Sequence, residues 1–415
     1  MSQSFPEKFL WGTSTAAHQV EGNNINNDIW LLEHVPQSIF VEPSGDACDH
    51  YHRYPEDIAL LTELGFTAYR FSIEWSRIEP EEGIFSNAAL EHYRRMLATC
   101  HEHGITPFVT FHHFASPRWL IRDGGWGDAR TPERFARFCE HTTNYLGDLI
   151  GGACTINEMN ISTVLTKMGH LPPFEHLQQA PWWKSAAQNI NTTPDKFVPF
   201  IFAVTPQSRE IIMNAHRSAF EAIKSAKGDF PVGATLAMRD IQVVEGGEDV
   251  AKELAYELYD SYLEEMRDND FIGVQTYSRL RVGTDGPLPP EDGIEQTAMG
   301  YEFWPEAIEM TIRRAAKVSQ LPVIVTENGI ATSDDSRRLE YAQRAVQGVH
   351  RCIEDGIKVQ GYFHWSAFDN YEWILGYKPQ FGLIAVDRKT QKRTPKASAR
   401  WLGQVARLNG NIFGN

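Results

Sequence analysis

Eight short runs rich in apolar, β-branched and aromatic residues recur along the chain, and an amphipathic stretch of helical period separates each from the next. The runs are Phe9 to Thr13, Ala68 to Ile73, Pro107 to His112, Ala153 to Asn157, Val232 to Leu236, Phe271 to Tyr277, Pro322 to Thr326 and Gly361 to Trp365. Strands that alternate with helices pair in parallel, because only a long crossover returns the chain to the edge where it began. Eight such units predict a closed (β/α)8 barrel. Between Pro55 and Leu64 apolar residues recur at three- and four-residue spacing, and Gly65 ends the helix. No linker or composition shift divides the chain, so one domain over residues 1–415 is expected. Residues 166–205, with Pro172-Pro173 and Pro181-Trp182-Trp183, break the rhythm and read as a long loop after the fourth strand.

Composition narrows the class of partner. The 415 residues are 42% hydrophobic and 12% aromatic, enough for a large core, and carry a net charge of −15 without any Lys/Arg run. Nucleic acid is therefore not an expected partner. The N-terminal MSQSFPEKFLWGTS shows no charged region followed by an apolar one, and no run reaches the roughly 18 apolar residues of a membrane span. A cytoplasmic protein is expected. The five cysteines, Cys48, Cys100, Cys139, Cys154 and Cys352, are odd in number and form no CxxC pair, which argues against disulfides and zinc. Without a secretion signal, Asn160-Ile-Ser162 and Asn191-Thr-Thr193 read as chance matches to the glycosylation sequon.

In a barrel of this kind the chemistry lies at the C-terminal ends of the strands. Here those ends carry Arg70 and Ser72, His112-His113, Asn157-Glu158, Gln275 and Tyr277, Glu327-Asn328, and Trp365-Ser366. Two carboxylates, an arginine, a tyrosine and amides on one rim point to acid/base or nucleophilic carboxylate chemistry. Strand alternation lets only one of His112 and His113 face the site, which also argues against a metal pair.

Several segments then fall into a known order. They are FLWGTSTAAHQVEG (9–22), DHYHRY (49–54), AYRFSI (68–73), TINE (155–158), VTENG (325–329), WSAFDNYEW (365–373) and FGL (381–383). The set resembles the successive motifs of the family 1 glycoside hydrolases. The resemblance implies a retaining β-glycosidase, most readily a β-glucosidase, needing neither cofactor nor metal and acting on a small β-glycoside. It implies that Glu327 is the nucleophile and Glu158 the acid/base. Retaining hydrolysis needs one carboxylate on each face of the sugar, about 5 Å apart. The charge of Glu327 is expected to raise the pKa of Glu158 and keep it protonated as the acid.

The same resemblance gives Arg70 and Tyr277 contact with the nucleophile, which favours its ionised form. It assigns Asn157 to the sugar 2-hydroxyl. Gln19, His113, Glu372 and Trp373 fall on positions that hold the outer hydroxyls, and Trp365 on the platform beneath the apolar face of the sugar. A carboxylate at Glu372 is expected to repel the phosphate of a 6-phosphorylated sugar. Met159 replaces the proline usual after the acid/base, Gln275 stands where asparagine is usual, and Phe114 replaces a frequent tryptophan. Trp182 and Trp183 are expected to roof the aglycone side. The same two carboxylates would also serve a transglycosidase, whereas a non-catalytic sugar-binding relative is expected to lack one of them.

Overall fold

The computed structural model describes residues 4–411. Its barrel strands are β1 (Leu10–Thr15), β2 (Ala68–Ser72), β3 (Thr106–His112), β4 (Gly152–Ile156), β5 (Val232–Val243), β6 (Phe271–Gly283), β7 (Val323–Asn328) and β8 (Val359–Trp365). They pair in parallel in chain order, and β8 returns to β1 through Gly12 opposite Phe363. The expected closed (β/α)8 barrel is the fold of this chain.

The helices between strands begin and end where the sequence supplies the chemistry. Helix α1 (His50–Leu64) stops at Gly65, whose φ of 109° lets its N–H return to the carbonyls of Leu61 and Thr62. It starts at His50, ahead of the expected Pro55, since the buried His50 ring is held 2.8 Å from Asp57. Ser86 caps α2 (Asn87–Glu102) through the Ala89 N–H. The next helices are α3 (Thr131–Leu146) and α4 (Pro206–Ser225), the latter opened by a Thr205 cap with proline in its first turn. Helix α5 (248–265) contains a wider turn at Tyr256–Asp260. Helices α6 (Ala307–Ser319), α7 (Asp335–Glu354) and α8 (Ala397–Arg407) complete the outer ring.

The floor of the barrel is apolar. Ala68, Phe108, Cys154, Phe271, Ile324 and Phe363 fill it, with the Phe108 ring 5.5 Å from both Phe271 and Phe363. Three phenyl rings fit only because neighbouring positions are bare. A methyl group on Gly12 would lie 2.5 Å from the Phe363 ring, and one on Gly152 2.4 Å from the Phe108 ring. Such packing closes the bottom and leaves the polar groups to the opposite rim.

Two strands run further than expected. Beyond the rim, Asp240 to Val243 of β5 pair with Arg279 to Val282 of β6 after a bulge at Met238/Asp240. That ribbon is only partly buried, so its mixed polar sequence hides a strand that pairs mainly with its neighbour. Residues 166–205 are also not a plain loop: they hold the helices Phe174–Leu177 and Pro181–Asn189 and a tight turn at Phe200–Phe202. All five cysteines are buried free thiols. No helix among the described residues is long and apolar enough to cross a membrane.

Candidate active site

A register shift aims the first carboxylate. Val274 of β6 sits opposite Val325, yet the next residue, Gln275, sits opposite Glu327, so β7 carries one extra residue at Thr326. Such a bulge re-aims the side chain that follows it. Asn328 instead bonds outside the site, donating to the Thr276 carbonyl at 2.6 Å and accepting from Tyr362 at 2.8 Å. Glu327 enters the mouth, where Arg70 Nη1 donates to Oε1 at 2.6 Å and Tyr277 donates to Oε2 at 2.6 Å.

Burial pushes the Glu327 carboxyl upward, while the Arg70 charge and the Tyr277 and Arg70 hydrogen bonds pull it down. The expectation that these two partners favour ionisation holds for each contact, but burial outweighs them. Arg70 itself is wholly buried and stays cationic beside Glu327. Tyr277 is pushed well above the usual phenol range, first by burial and then by the Glu327 charge, so it remains a donor.

Glu158 lies at the end of β4 in a different setting. Its φ of 45° is in the left-handed region, which costs a non-glycine residue on the order of 1 kcal/mol. Two contacts to β5 hold the turn: Glu158 N donates to Thr235 Oγ1 at 2.8 Å and Met159 N to the Thr235 carbonyl at 3.1 Å. The second bond is open to Met159 and would be closed to a proline. Among the described residues no side chain hydrogen-bonds the Glu158 carboxyl. Burial, then the charge of Glu327, raises it well above the usual carboxylate range. The expected direction is met, with burial as its larger cause.

The remaining expected residues gather around this pair. Gln19 Nε2 donates to the Tyr371 carbonyl at 2.6 Å and reaches Glu372 Oε2 at 3.4 Å, tying the chain after β1 to the chain after β8. His113 lies 5.7 Å from Trp365 and 6.2 Å from Trp373, ring over ring. His112 diverges from it, bonding Ser116 at 2.9 Å and packing on Trp126 and Phe200. Trp365 is buried with Ala16, Ala331 and Phe381, and Trp373 flanks it. Behind Trp373 the His18 ring stacks at 5.9 Å and 8°, held 2.8 Å from Glu33.

Several polar atoms here are buried yet lack a partner within the protein: Gln19 Oε1, His113 Nδ1, Asn157 Nδ2 and Gln275 Oε1. Buried polar groups are ordinarily paired, so a cluster of four marks a pocket made for a hydroxylated ligand. Burial and the neighbouring Arg70 charge hold His113 neutral. Glu372 corrects an expectation. Burial and the Glu327 charge push it up to about 8, so near neutral pH it is mostly an uncharged acid rather than a repelling charge.

Trp183 corrects another. It is fully buried, donates to the Pro194 carbonyl at 2.8 Å, and is ringed by Phe174, Phe197 and Phe202. It is the centre of a small local core and cannot touch a ligand. Residues without a sequence signal stand at the rim instead. Tyr301 feels the charges of Glu372 and Glu158, and Arg239 lies 4.6 Å over its ring. His170, from the same 166–205 segment, is within electrostatic reach of Arg239.

A carboxyl held by two donors, beside a second carboxyl that burial and the first one's charge raise, at the mouth of a (β/α)8 barrel, is the equipment of a glycoside hydrolase. The model of glycosyl hydrolase family 1 matches residues 1–243 and 259–411. A 1,4-β-D-glucan glucohydrolase of Thermotoga neapolitana is 33% identical, over 98% of this chain and 99% of its own. The crystal structure of β-glycosidase BGL167 is 55% identical with a TM-score of 0.95, covering 97% of each chain. An apo β-glucosidase structure, 1317, is 45% identical with a TM-score of 0.91, over 96% of this chain and 98% of its own. The chain belongs to glycosyl hydrolase family 1, and it is a glycoside hydrolase.

Proposed function

We propose that the protein is a single-domain retaining β-glycosidase that hydrolyses terminal β-D-glycosides, β-glucosides foremost, with Glu327 as nucleophile and Glu158 as acid/base. One observation carries the division of roles. Both oxygens of Glu327 accept short hydrogen bonds, from Arg70 and Tyr277, whereas the more strongly raised carboxyl of Glu158 accepts none from a side chain. The first arrangement favours an anion and the second a proton.

Glu327 attacks the anomeric carbon as its bond to the leaving oxygen breaks, and Glu158 passes its proton to that oxygen. The resulting ester consumes the Glu327 charge, which removes one of the causes that keep Glu158 protonated. Glu158 then takes a proton from water, which attacks the same carbon from the face the aglycone left as the ester bond to Glu327 breaks, releasing the carboxylate and restoring the β-configuration. Trp365 supplies the platform for the sugar ring. Asn157 holds the 2-hydroxyl, and Gln19, His113, Glu372 and Trp373 hold the outer hydroxyls. Buried and unpartnered Gln19 Oε1, His113 Nδ1 and Asn157 Nδ2 support that reading. A neutral Glu372 can both donate to and accept from a hydroxyl.

The test is to trap the ester with 2,4-dinitrophenyl 2-deoxy-2-fluoro-β-glucoside and weigh the intact protein. One added fluoroglucosyl unit on the peptide containing Glu327 is expected. An unlabelled protein that still turns over aryl β-glucosides, or a label on another residue, overturns the mechanism.

A further inference from the structure

Asn157 presents its two amide atoms to opposite surroundings. Its Oδ1 accepts from Arg70 Nη2 at 2.5 Å, Gln275 Nε2 at 2.9 Å and Thr235 Oγ1 at 3.4 Å. A guanidinium nitrogen can only donate, so the atom it faces is the oxygen, and the Nδ2 group must point the other way. That Nδ2 is buried and has no partner within the protein.

Arg70 alone cannot fix the plane of this amide. It is shared with Glu327, and one strong donor leaves the carboxamide free to pivot about it, while Thr235 donates only across a long 3.4 Å. Gln275 supplies the second short donor. It is buried on β6, and the methylene by which glutamine exceeds asparagine carries its amide towards Asn157, the residue just after β4.

We infer that Gln275 is a positioning residue for the substrate's 2-hydroxyl, locking the Asn157 amide so that Nδ2 donates to that hydroxyl. The inference rests on the reading of Asn157 under Proposed function. Because contacts to the 2-hydroxyl strengthen in the transition state, loosening the amide lowers kcat more than it raises KM.

The experiment compares kcat/KM on 4-nitrophenyl β-glucoside and its 2-deoxy analogue for the wild-type protein and for Gln275→Met. Methionine nearly matches glutamine in length and volume but has no donor. The wild type should strongly prefer the 2-hydroxy substrate. In Gln275→Met that preference should fall about tenfold, while the 2-deoxy rate stays within about threefold of wild type. Gln275→Asn, one methylene shorter, should lose part of the preference and serves as the second variant if the first folds poorly. An equal loss on both substrates means that Gln275 acts only through Glu327 or the fold, and it overturns the inference. So does an unchanged preference. A wild type that does not distinguish the two substrates overturns the Asn157 reading itself, and the inference with it.

Discussion

Tyr277 donates its phenol hydrogen to Oε2 of Glu327 at 2.6 Å, the oxygen that Arg70 leaves free. Each oxygen of that carboxylate thus accepts a short hydrogen bond from the protein side, which holds the group in one orientation. Tyr277→Phe removes one donor and little volume. Its kcat on aryl β-glucosides should fall roughly 10- to 100-fold. The acid limb of kcat/KM should move to higher pH, because a less stabilised Glu327 anion takes up its proton earlier. An unmoved acid limb would count against the contact.

The pH profile reports the pair directly. The first step needs Glu327 ionised and Glu158 protonated, so activity is lost at low pH through Glu327 and at high pH through Glu158. Burial raises both, Glu158 the more, which places the window above the usual carboxylate range. The charge of Glu372, once ionised above about 8, is a further upward influence on Glu158. Glu372→Gln should therefore draw the basic limb of kcat/KM to lower pH. A basic limb that rises or stays fixed is the opposing result.

Stability carries its own pH dependence at Asp28. This wholly buried carboxyl accepts from Ser116 N at 2.8 Å through one oxygen, while the other has no partner. Burial raises it from 3.8 to about 7. A group raised on folding stabilises fully below its unfolded pKa, and that contribution is lost as pH climbs through the folded value. Stability should thus decline from about pH 4 to 7, by as much as roughly 1.4 kcal/mol per unit for this group. Asp28→Asn should remove the decline. Melting temperatures of the two proteins at pH 4.5 and 8 check it, with a difference that shifts towards the variant at pH 8.

Trp183 and Tyr301 separate core from rim. Trp183→Ala should cost about 3–5 kcal/mol of stability and leave aglycone preference on a fixed glycone unchanged. Tyr301→Ala should do the reverse, altering the ranking of alkyl and aryl aglycones with little loss of stability. Melting curves and kcat/KM across several aglycones decide between them. A changed ranking in Trp183→Ala would restore the expected roof.

The barrel was legible because its eight apolar runs are separated by helical periods, and the candidate site because Arg70, Glu158 and Glu327 stand at the ends of those runs. Thr235 was not legible: inside Val232 to Leu236 it reads as one more β-branched strand residue. Tyr301 lies in irregular chain without a period, so only the fold brings it near Glu158. Trp183 shows the limit of composition, since a Pro-Trp-Trp segment looks the same whether it opens a buried helix or lines a cleft. The charge state of Glu372 was equally hidden, because it depends on burial and on Glu327, which only the fold brings near it.

The assignment of nucleophile and acid/base is tested most directly by azide with the two truncated carboxylates. Glu327→Ala with 2,4-dinitrophenyl β-glucoside and azide should give α-glucosyl azide, by one inversion into the space the carboxylate leaves. Glu158→Ala should form the ester with this leaving group, show a burst, and give β-glucosyl azide by two inversions. The anomeric proton coupling in the NMR spectrum of each product reads the outcome. The reverse pairing of products would exchange the two roles, and wild-type rates of either variant on unactivated glucosides would contradict the mechanism.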